Sequence, residues 1–307
     1  MTNGSSTDRL SVITPTYSAD YEMARSLCAS MDRFLNIPFH HWLVVPSRDL
    51  ALFASLKGPN RAVISKESVL GRHGFYRLPV PARVHVPGLI DRRIKEQWWR
   101  PGAGRLSGWL VQQIIKLSAP EITEDEHLMF IDSDVALVRL FHWDHLIRDG
   151  AVRLHEHHAG THHDTHHRWR DAALELVGGA AEQGAPTNYI GHLIGWRRSN
   201  VLALQQRIEA VTGMDWRRAL AKRKDVSEYI LYGYFVADAD RRGEGAMGHV
   251  REDLGLVHSL WVGDAEAEAR FAAGLGAQHV AVHIQSAIPM TPESRARRID
   301  AIIEGAA

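Results

Sequence analysis

Only one cysteine, Cys28, occurs in 307 residues. No intrachain disulfide and no cysteine-built zinc cluster can form, and the chain suits a reducing compartment, though a secreted protein can also lack disulfides. Excess charge is missing too: Lys plus Arg and Asp plus Glu are 36 each, a formal net charge of zero. That excludes nucleic-acid binding through bulk charge, though not a local basic patch that grips a phosphate. Nowhere do about 18 apolar residues run together, so no membrane-spanning helix is expected. The first ten residues, MTNGSSTDRL, lack the apolar core of a signal peptide. We therefore expect a cytoplasmic protein with no membrane span and no nucleic-acid partner. There is no internal repeat and no clear linker. Arg far outnumbers Lys and Ala is abundant, which points to a GC-rich bacterial source.

What is present is ordinary for a globular protein, with 45% hydrophobic and 23% charged residues. The length suffices for one large α/β domain. LSVITPTY reads as a strand ended by Pro15. YEMARSLCASMDRFL follows with Met23, Leu27, Met31 and Leu35 at helical spacing. HHWLVVP is a second strand, SRDLALFASL a helix with Ser47 as N-cap, and NRAVISK a third strand. This β-α-β-α-β order predicts an α/β fold, a Rossmann-like, mostly parallel sheet flanked by helices, with ligands at the carboxyl ends of its strands. Residues 68 to 104, broken by glycines and prolines, are expected to be a long irregular loop over the site. GRLSGWLVQQIIKLSAP reads as a helix stopped by Pro120, and NYIGHLIGW as a strand. A helix is expected from Ser199 to about Val211 and another across DVSEYILYGYFV. QHVAVHI is a late strand, and a final helix has Thr291 as N-cap and Pro292 at N1.

The informative stretch is LMFIDSDVAL, residues 128 to 137. In an extended strand Asp132 and Asp134 point to the same side. Two carboxylates side by side make a hard oxygen site for Mg²⁺ or Mn²⁺, and such a cation can hold a diphosphate and neutralise it as it leaves. The same pair would also suit the capping of a following turn. His283 in VAVHIQ suits Mn²⁺ beside carboxylates, or a hydrogen-bonded core histidine.

The stretch IIKLSAPEITEDEHLMFIDSDVALVRLF resembles the core of nucleotide-sugar glycosyltransferases with the A-type fold. Within them it is similar to the glycogenin-like group and to bacterial glycosyltransferase-like proteins of unassigned function. The lack of a clear linker favours a single domain over residues 1–307; the resemblance, which spans roughly residues 10 to 290, gives it a nucleotide-binding half at about 8–140 and an acceptor-side half at about 141–307. It implies that Lys116, followed by Leu117, contacts donor phosphate or sugar. Asp134 would ligate the metal directly, while Asp132 would share the metal and the donor ribose. Asn188 would line the sugar site, with Gly191 displaced by one residue from the family's glycine. Glu228 would face the reacting sugar where the family more often has Gln, and His283 would complete the metal shell. The family's downstream Gly and Lys are absent after His283, leaving Arg295, Arg297 or Arg298 as substitutes. Thr14, Thr16 and Tyr17 would surround the nucleotide base, which favours a UDP-sugar donor, and Arg72 in LGRHG could reach a phosphate. The acceptor would be an unidentified hydroxyl-bearing molecule. In an inverting reaction Glu228 would take the acceptor's proton; in a retaining one it would orient the sugar or stabilise positive charge.

Seven histidines crowd between His155 and His167 in HEHHAGTHHDTHHRW. A helix there would set His158/His162, His162/His166 and His163/His167 on shared faces, with Asp164 nearby, as Zn²⁺ donors. The run could equally border an acceptor pocket or bind metal adventitiously. Two rival functions follow. A haloacid-dehalogenase-like phosphatase would use Asp132 as nucleophile, but some 130 residues with their own β-α-β pattern precede the motif, and Ala136 stands where that family has Thr. A non-enzymatic His-rich metal-binding protein would explain the histidines and nothing else.

Overall fold

The computed structural model describes residues 9–81, 83–86, 90–93, 96–158, 164–223, 225–245 and 247–306, with backbone only at 83, 85–86, 90–93 and 306. Its centre is a five-stranded sheet in the spatial order Leu193–Arg197, His127–Ile131, Leu10–Pro15, Phe39–Val45, Arg61–Ser65. The last four are parallel; Leu193–Arg197 runs antiparallel to His127–Ile131. The predicted α/β, Rossmann-like architecture is the one adopted.

Both faces of this sheet are covered, which is why LSVITP and HLMFI read as nearly continuous apolar runs. Alternation divides their side chains between two cores. Ile13, Leu128 and Phe130 meet Val111 and Ile114 of the Gly108–Leu117 helix and Ile230 of the Glu228–Arg241 helix. Leu10, Val12, Met129 and Ile131 meet Leu27 and Met31 of the Tyr21–Phe34 helix. Chain order reverses beside Leu10–Pro15: the chain first builds outward to Arg61–Ser65, then returns to lay His127–Ile131 on the other side. Neighbouring strand ends diverge at such a reversal and leave a crevice. Thr16 and Asp132 are the first residues beyond these two strands.

A second sheet starts immediately after the acidic motif. Val135–Leu137 pairs antiparallel with Ala281–Ile284, which runs parallel to Val257–Leu260. Its register sets His283 opposite Val135, one residue from Asp134.

Several local expectations are corrected. Residues 68 to 104 are no long loop in their described part. Tyr76–Arg77, Gln97–Arg100 and Gly104–Ser107 form an antiparallel meander, and Arg83–Val86 pairs with Ile90–Arg93. Gly102, at φ +74°, lies in the tight turn between Gln97–Arg100 and Gly104–Ser107, and Gly104, at φ +75°, opens the second of these strands. Ser107 caps the Gly108–Leu117 helix, accepting from the Leu110 N–H at 3.2 Å. Pro120 does not stop that helix; it lies in the first turn of a separate short one, Ala119–Ile122, where its missing N–H is harmless. Ser47 caps nothing, and its N–H donates to Glu67 at 2.8 Å. The strand in NYIGHLIGW begins only at Leu193. By contrast Thr291 does cap the final helix, Pro292–Ala306, accepting from the Ser294 N–H at 3.2 Å.

The Glu228–Arg241 helix is buried from Glu228 to Ala239. At Gly233 it lies against Tyr189, where an added Cβ would come within 2.1 Å of the ring. Tyr189 is itself buried at 2% exposure and cannot swing away. Gly233→Ala is therefore expected to destabilise by about 1–3 kcal/mol, overpacking outweighing a helix-propensity gain of about 1 kcal/mol. Urea unfolding measures it. On the same helix the Tyr232 hydroxyl lies 2.7 Å from His249 Nε2, while Nδ1 donates to the Val152 carbonyl at 3.0 Å. Burial, above all, pushes His249 down to about 4. The unfolded chain takes up this proton near pH 6.5 while the native state resists until about 4. Stability is thus complete above pH 6.5 and falls as pH drops through that window, by on the order of 3 kcal/mol. Unfolding free energies at pH 7.5 and 4.5 should show the fall, and His249→Gln should flatten it.

Candidate active site

Asp132 and Asp134 do not behave as alternate residues of one strand. The strand ends at Ile131, and Ser133 and Asp134 form a turn in which the Val135 N–H donates to the Asp132 carbonyl at 3.2 Å. The two-residue period is lost there, and each carboxylate has its own partner. Asp132 Oδ1 lies 3.3 Å from Lys116 Nζ. Asp134 Oδ2 lies 3.4 Å from His283 Nε2 and accepts the Ser286 N–H at 3.1 Å.

Lys116 is the hub. It sits in the last turn of the Gly108–Leu117 helix on the inward face, with its side chain 6% exposed. Its ammonium donates to the Tyr229 hydroxyl at 2.8 Å and lies 3.0 Å from Glu228 Oε1, an ion pair without hydrogen-bond alignment. Burial alone would push this ammonium down, but Asp132, Glu228 and Tyr229 together hold it well above the ordinary lysine value. Burial pushes the Glu228 carboxyl up, with Lys116 opposing. Asp134 goes the other way: burial would raise it, but His283, His192 and the Ser286 N–H outweigh burial and leave it lowered. Glu228 begins the Glu228–Arg241 helix, and its backbone N–H donates to the Gln113 side chain at 2.8 Å, one helical turn from Lys116.

These groups face a 410 Å³ pocket at the carboxyl ends of Leu10–Pro15 and His127–Ile131. Tyr17, Trp109, Lys116, Asp132, Asp134 and Glu228 are among its lining residues. Trp109 stacks on Trp169, with ring centroids 5.9 Å apart. A 720 Å³ cleft adjoins it, shares Trp169 and Ile190 with it, and is bordered by His155, His157, His166 and His192. His192 stacks on His283 with ring centroids 3.7 Å apart, so it lies between the acidic turn and the cleft. Burial and the neighbouring His283 push His192 down to about 4.

Lys116, Asp132, Asp134, Glu228 and Tyr17 thus come together as anticipated, with His283 behind Asp134. Others do not join them. Thr14 is fully buried and its hydroxyl lies 3.0 Å from His41 Nε2; Thr16 is 1% exposed, with no hydrogen-bond partner for its hydroxyl. Neither hydroxyl is exposed to the pocket. Arg72 pairs with Glu121 outside the pocket. Asn188 and Gly191 border the adjoining cleft, and the Asn188 side chain accepts the Ile190 N–H at 3.0 Å. Arg295 holds the carbonyls of Ile284 and Gln285, Arg297 is exposed, and Arg298 pairs with Glu268 at 3.0 Å. Sequence reasoning missed Gln113, Tyr229, His192 and Trp109. Tyr229 and His192 stand inside stretches already singled out, DVSEYILYGYFV and NYIGHLIGW; Gln113 and Trp109 carried no signal.

Of the histidine run, His162 and His163 lie outside the described residues. Helix begins at Asp164, so His158 precedes it, while His166 and His167 lie on it. His157 Nδ1 is 2.7 Å from Asp253 Oδ2 and His155 Nδ1 3.8 Å from Oδ1.

Among the described residues no group of three or more His, Cys, Asp or Glu side chains is placed to hold a metal ion. The three-donor shell implied by resemblance is not assembled. Asp132 turns to Lys116, and His283 Nδ1 is buried without the hydrogen-bond partner that normally anchors a metal-bound imidazole. What remains is Asp134 with the 42%-exposed Asp132 carboxylate at the same pocket. Mg²⁺ is commonly held by one or two carboxylates, with water and substrate phosphates completing the shell. The donors here suit a cation that arrives with a phosphorylated ligand, not a protein-only cage.

Lys116→Met would leave Glu228 buried without a counter-charge. It should cost about 3–5 kcal/mol in urea unfolding. Lys116→Met with Glu228→Gln should recover part of that, and a double-mutant cycle should give a coupling of at least about 1 kcal/mol. Strictly additive losses would contradict the pairing.

Among the described residues no helix is long and apolar enough to cross a membrane. No curated protein matches the chain. A family profile does, over residues 8–305, almost its whole length. By that match the chain belongs to DUF6492, a family of unknown function.

Proposed function

We propose that the protein transfers a sugar from a nucleotide diphosphate sugar, a UDP-sugar in the first instance, to an acceptor hydroxyl. One observation carries this reading. Lys116, the Asp132–Asp134 turn and Glu228, from three separate segments and all marked by resemblance to A-type glycosyltransferases, line one pocket at a switch point of a parallel sheet.

Transfer breaks the bond between the anomeric carbon and a phosphate oxygen, and negative charge builds on the departing diphosphate. Bound at Asp134 and Asp132, Mn²⁺ or Mg²⁺ would neutralise part of that charge. Lys116 is the chain's own cation at this wall. Held protonated by its partners, it can turn from Asp132 to a phosphate oxygen while Glu228 and Tyr229 keep it in place. Charge stabilisation that grows toward the transition state is what speeds the chemical step. Glu228, 1% exposed and paired with Lys116, is poorly placed to take the acceptor's proton, and on this reading it fixes Lys116 and the sugar. Tyr17 offers a ring to the base. The acceptor would enter from the histidine-lined cleft. There His157, oriented by Asp253 at 2.7 Å, is a base of the kind that accepts a proton from a hydroxyl.

A thermal-shift screen of UDP-, GDP- and dTDP-sugars, with and without Mn²⁺, tests the proposal. One nucleotide class should raise the melting temperature by roughly 5 °C at a hundredfold excess over Kd, and only with the cation. Asp134→Ala should remove the cation dependence. If no nucleotide stabilises the protein under any condition, the reading fails. Phosphomonoester hydrolysis abolished by Asp132→Asn would put the phosphatase in its place.

A further inference from the structure

Arg72, drawn away from the pocket, belongs to a second cluster. Arg72 and His73 come from the turn Gly71–His73, Arg100 from the end of strand Gln97–Arg100, and Arg217 and Arg218 from the helix Trp216–Ala221. Among the described residues, the carboxylates paired with these guanidiniums are Glu121 and Asp215. Arg72 and Arg217 both contact Glu121, which also lies 2.9 Å from His73 Nε2. Arg100 and Arg217 share Asp215 at 2.9 and 3.7 Å. The Arg218 guanidinium is exposed and has no carboxylate within 4.0 Å among the described residues.

Four guanidiniums on two carboxylates leave positive charge uncompensated, and the surroundings register it. Arg100 Nη1 and Arg217 Nε are buried without hydrogen-bond partners, although Arg217 is only 6% exposed. An unpaired buried N–H of this kind is costly unless something else is destined to accept it. Burial, then Arg72 and Arg100, push Arg217 down to about 10. Burial, then Arg217 and Arg72, push His73 down to about 4.

A 360 Å³ cavity opens among these groups, bordered by His73, Gly74, Arg100, Pro101, Gly102 and Arg218. Gly74 and Gly102, at φ of +76° and +74°, put no side chain into it, and the Gly102 Cα faces the Arg218 guanidinium. Beside it, one row across the meander shows exposed Tyr76, Trp99 and Arg105, paired in register, with the two aromatic rings 6.0 Å apart. In a chain of zero net charge, residues 72 to 105 carry eight Arg or Lys against two Asp or Glu.

We propose that this cavity is an anion site for a phosphate group, separate from the pocket at Asp132. Arg218 and Arg100, which line it, supply the donors, and Arg72, 3.1 Å from the lining His73, adds positive charge beside it, since forked guanidiniums match phosphate oxygens. The phosphate belongs either to a soluble phosphorylated compound or to a lipid headgroup, and the adjacent Tyr76–Trp99 pair is the part that would respond to lipid.

Two measurements on the full chain decide it. Calorimetric titration with inorganic phosphate, without divalent cation, should show binding that Arg218→Ser and Arg72→Ser each weaken roughly tenfold or more. Both side chains are exposed, so both variants should keep the wild-type melting temperature. Sedimentation with phosphatidylcholine vesicles, with and without phosphatidylglycerol, distinguishes the sources. Phosphatidylglycerol-dependent binding reduced by both Arg218→Ser and Trp99→Ser assigns a lipid phosphate. Phosphate binding without vesicle binding assigns a soluble ligand. If neither probe binds, or if both bind and Arg218→Ser and Arg72→Ser change nothing, the proposal is overturned.

Discussion

An ammonium sealed between two carboxylates holds the centre of this molecule. Lys116 Nζ lies 3.3 Å from Asp132 and 3.0 Å from Glu228, with the Tyr229 hydroxyl at 2.8 Å. Neither Lys116 nor Glu228 could leave water alone, because the desolvation of a single buried charge is not recovered from apolar contacts. Their pairing therefore ties three segments together: the end of the Gly108–Leu117 helix, the end of the His127–Ile131 strand and the start of the Glu228–Arg241 helix. The Gln113 side chain adds a fourth constraint by accepting the Glu228 N–H, one of the donors that a helix start leaves open. An acidic residue in that first turn also sits favourably at the positive end of the helix dipole. Site and scaffold are not separable here, since the groups that would act on a ligand also lock the two helices to the sheet.

Two cavities meet at this junction, and they differ in chemistry. One is walled by Lys116, Asp132, Asp134 and Glu228; the other by imidazoles, Asn188 and Asp253. Trp169 and Ile190 belong to both, and the His192–His283 stack separates the acidic turn from the cleft. On the proposed reading, a pocket with a buried ammonium beside a cleft of imidazoles, Asn188 and Asp253 is the division of labour that transfer from a phosphorylated donor to a hydroxyl acceptor would need. It is less natural for a hydrolase, which needs only water on its second side. His192, beside the acidic turn, and His155, farther along the cleft, are both lowered by burial and so present neutral rings to the cleft near neutral pH.

The parts of this arrangement that could be read from sequence are those with a repeating physical signature. Strands buried on both faces announce themselves as LSVITP, HLMFI and AVHI, and amphipathic YEMARSLCASMDRF announces its helix. The acidic turn was legible as chemistry but not as geometry: a two-residue period holds only while the chain stays extended, and here it stops at Ile131. The meander at 76 to 107 was illegible because its described strands have two to four residues each and exist through pairing with one another, not through an apolar pattern. Gly102 and Gly104 signal a tight turn or an irregular loop equally well. Thr14 and Arg72 were misplaced for a related reason. Their partners, His41 and Glu121, lie 27 and 49 residues away, and nothing local reveals them. Tyr229 and Gln113 matter as hydrogen-bond partners of charged groups, a role that carries no periodicity.

The two carboxylates around Lys116 are unequal, and the inequality has a consequence for any anion that enters the pocket. The Glu228 side chain is 2% exposed; that of Asp132 is 42% exposed. Separating Lys116 from Glu228 would strand a charge in the interior, at several kcal/mol. Separating it from Asp132 exposes a carboxylate already half in water, which costs far less. An arriving phosphate would therefore displace Asp132, not Glu228, from the ammonium. Lys116 would stay charged throughout, because Glu228 still balances it. The freed Asp132 carboxylate would then sit beside bound phosphate oxygens and near Asp134, where two like charges and an anion repel unless a cation joins them. On the proposed reading, Lys116 would hold Asp132 until a phosphate displaced it, and a cation would then join the freed Asp132 to Asp134.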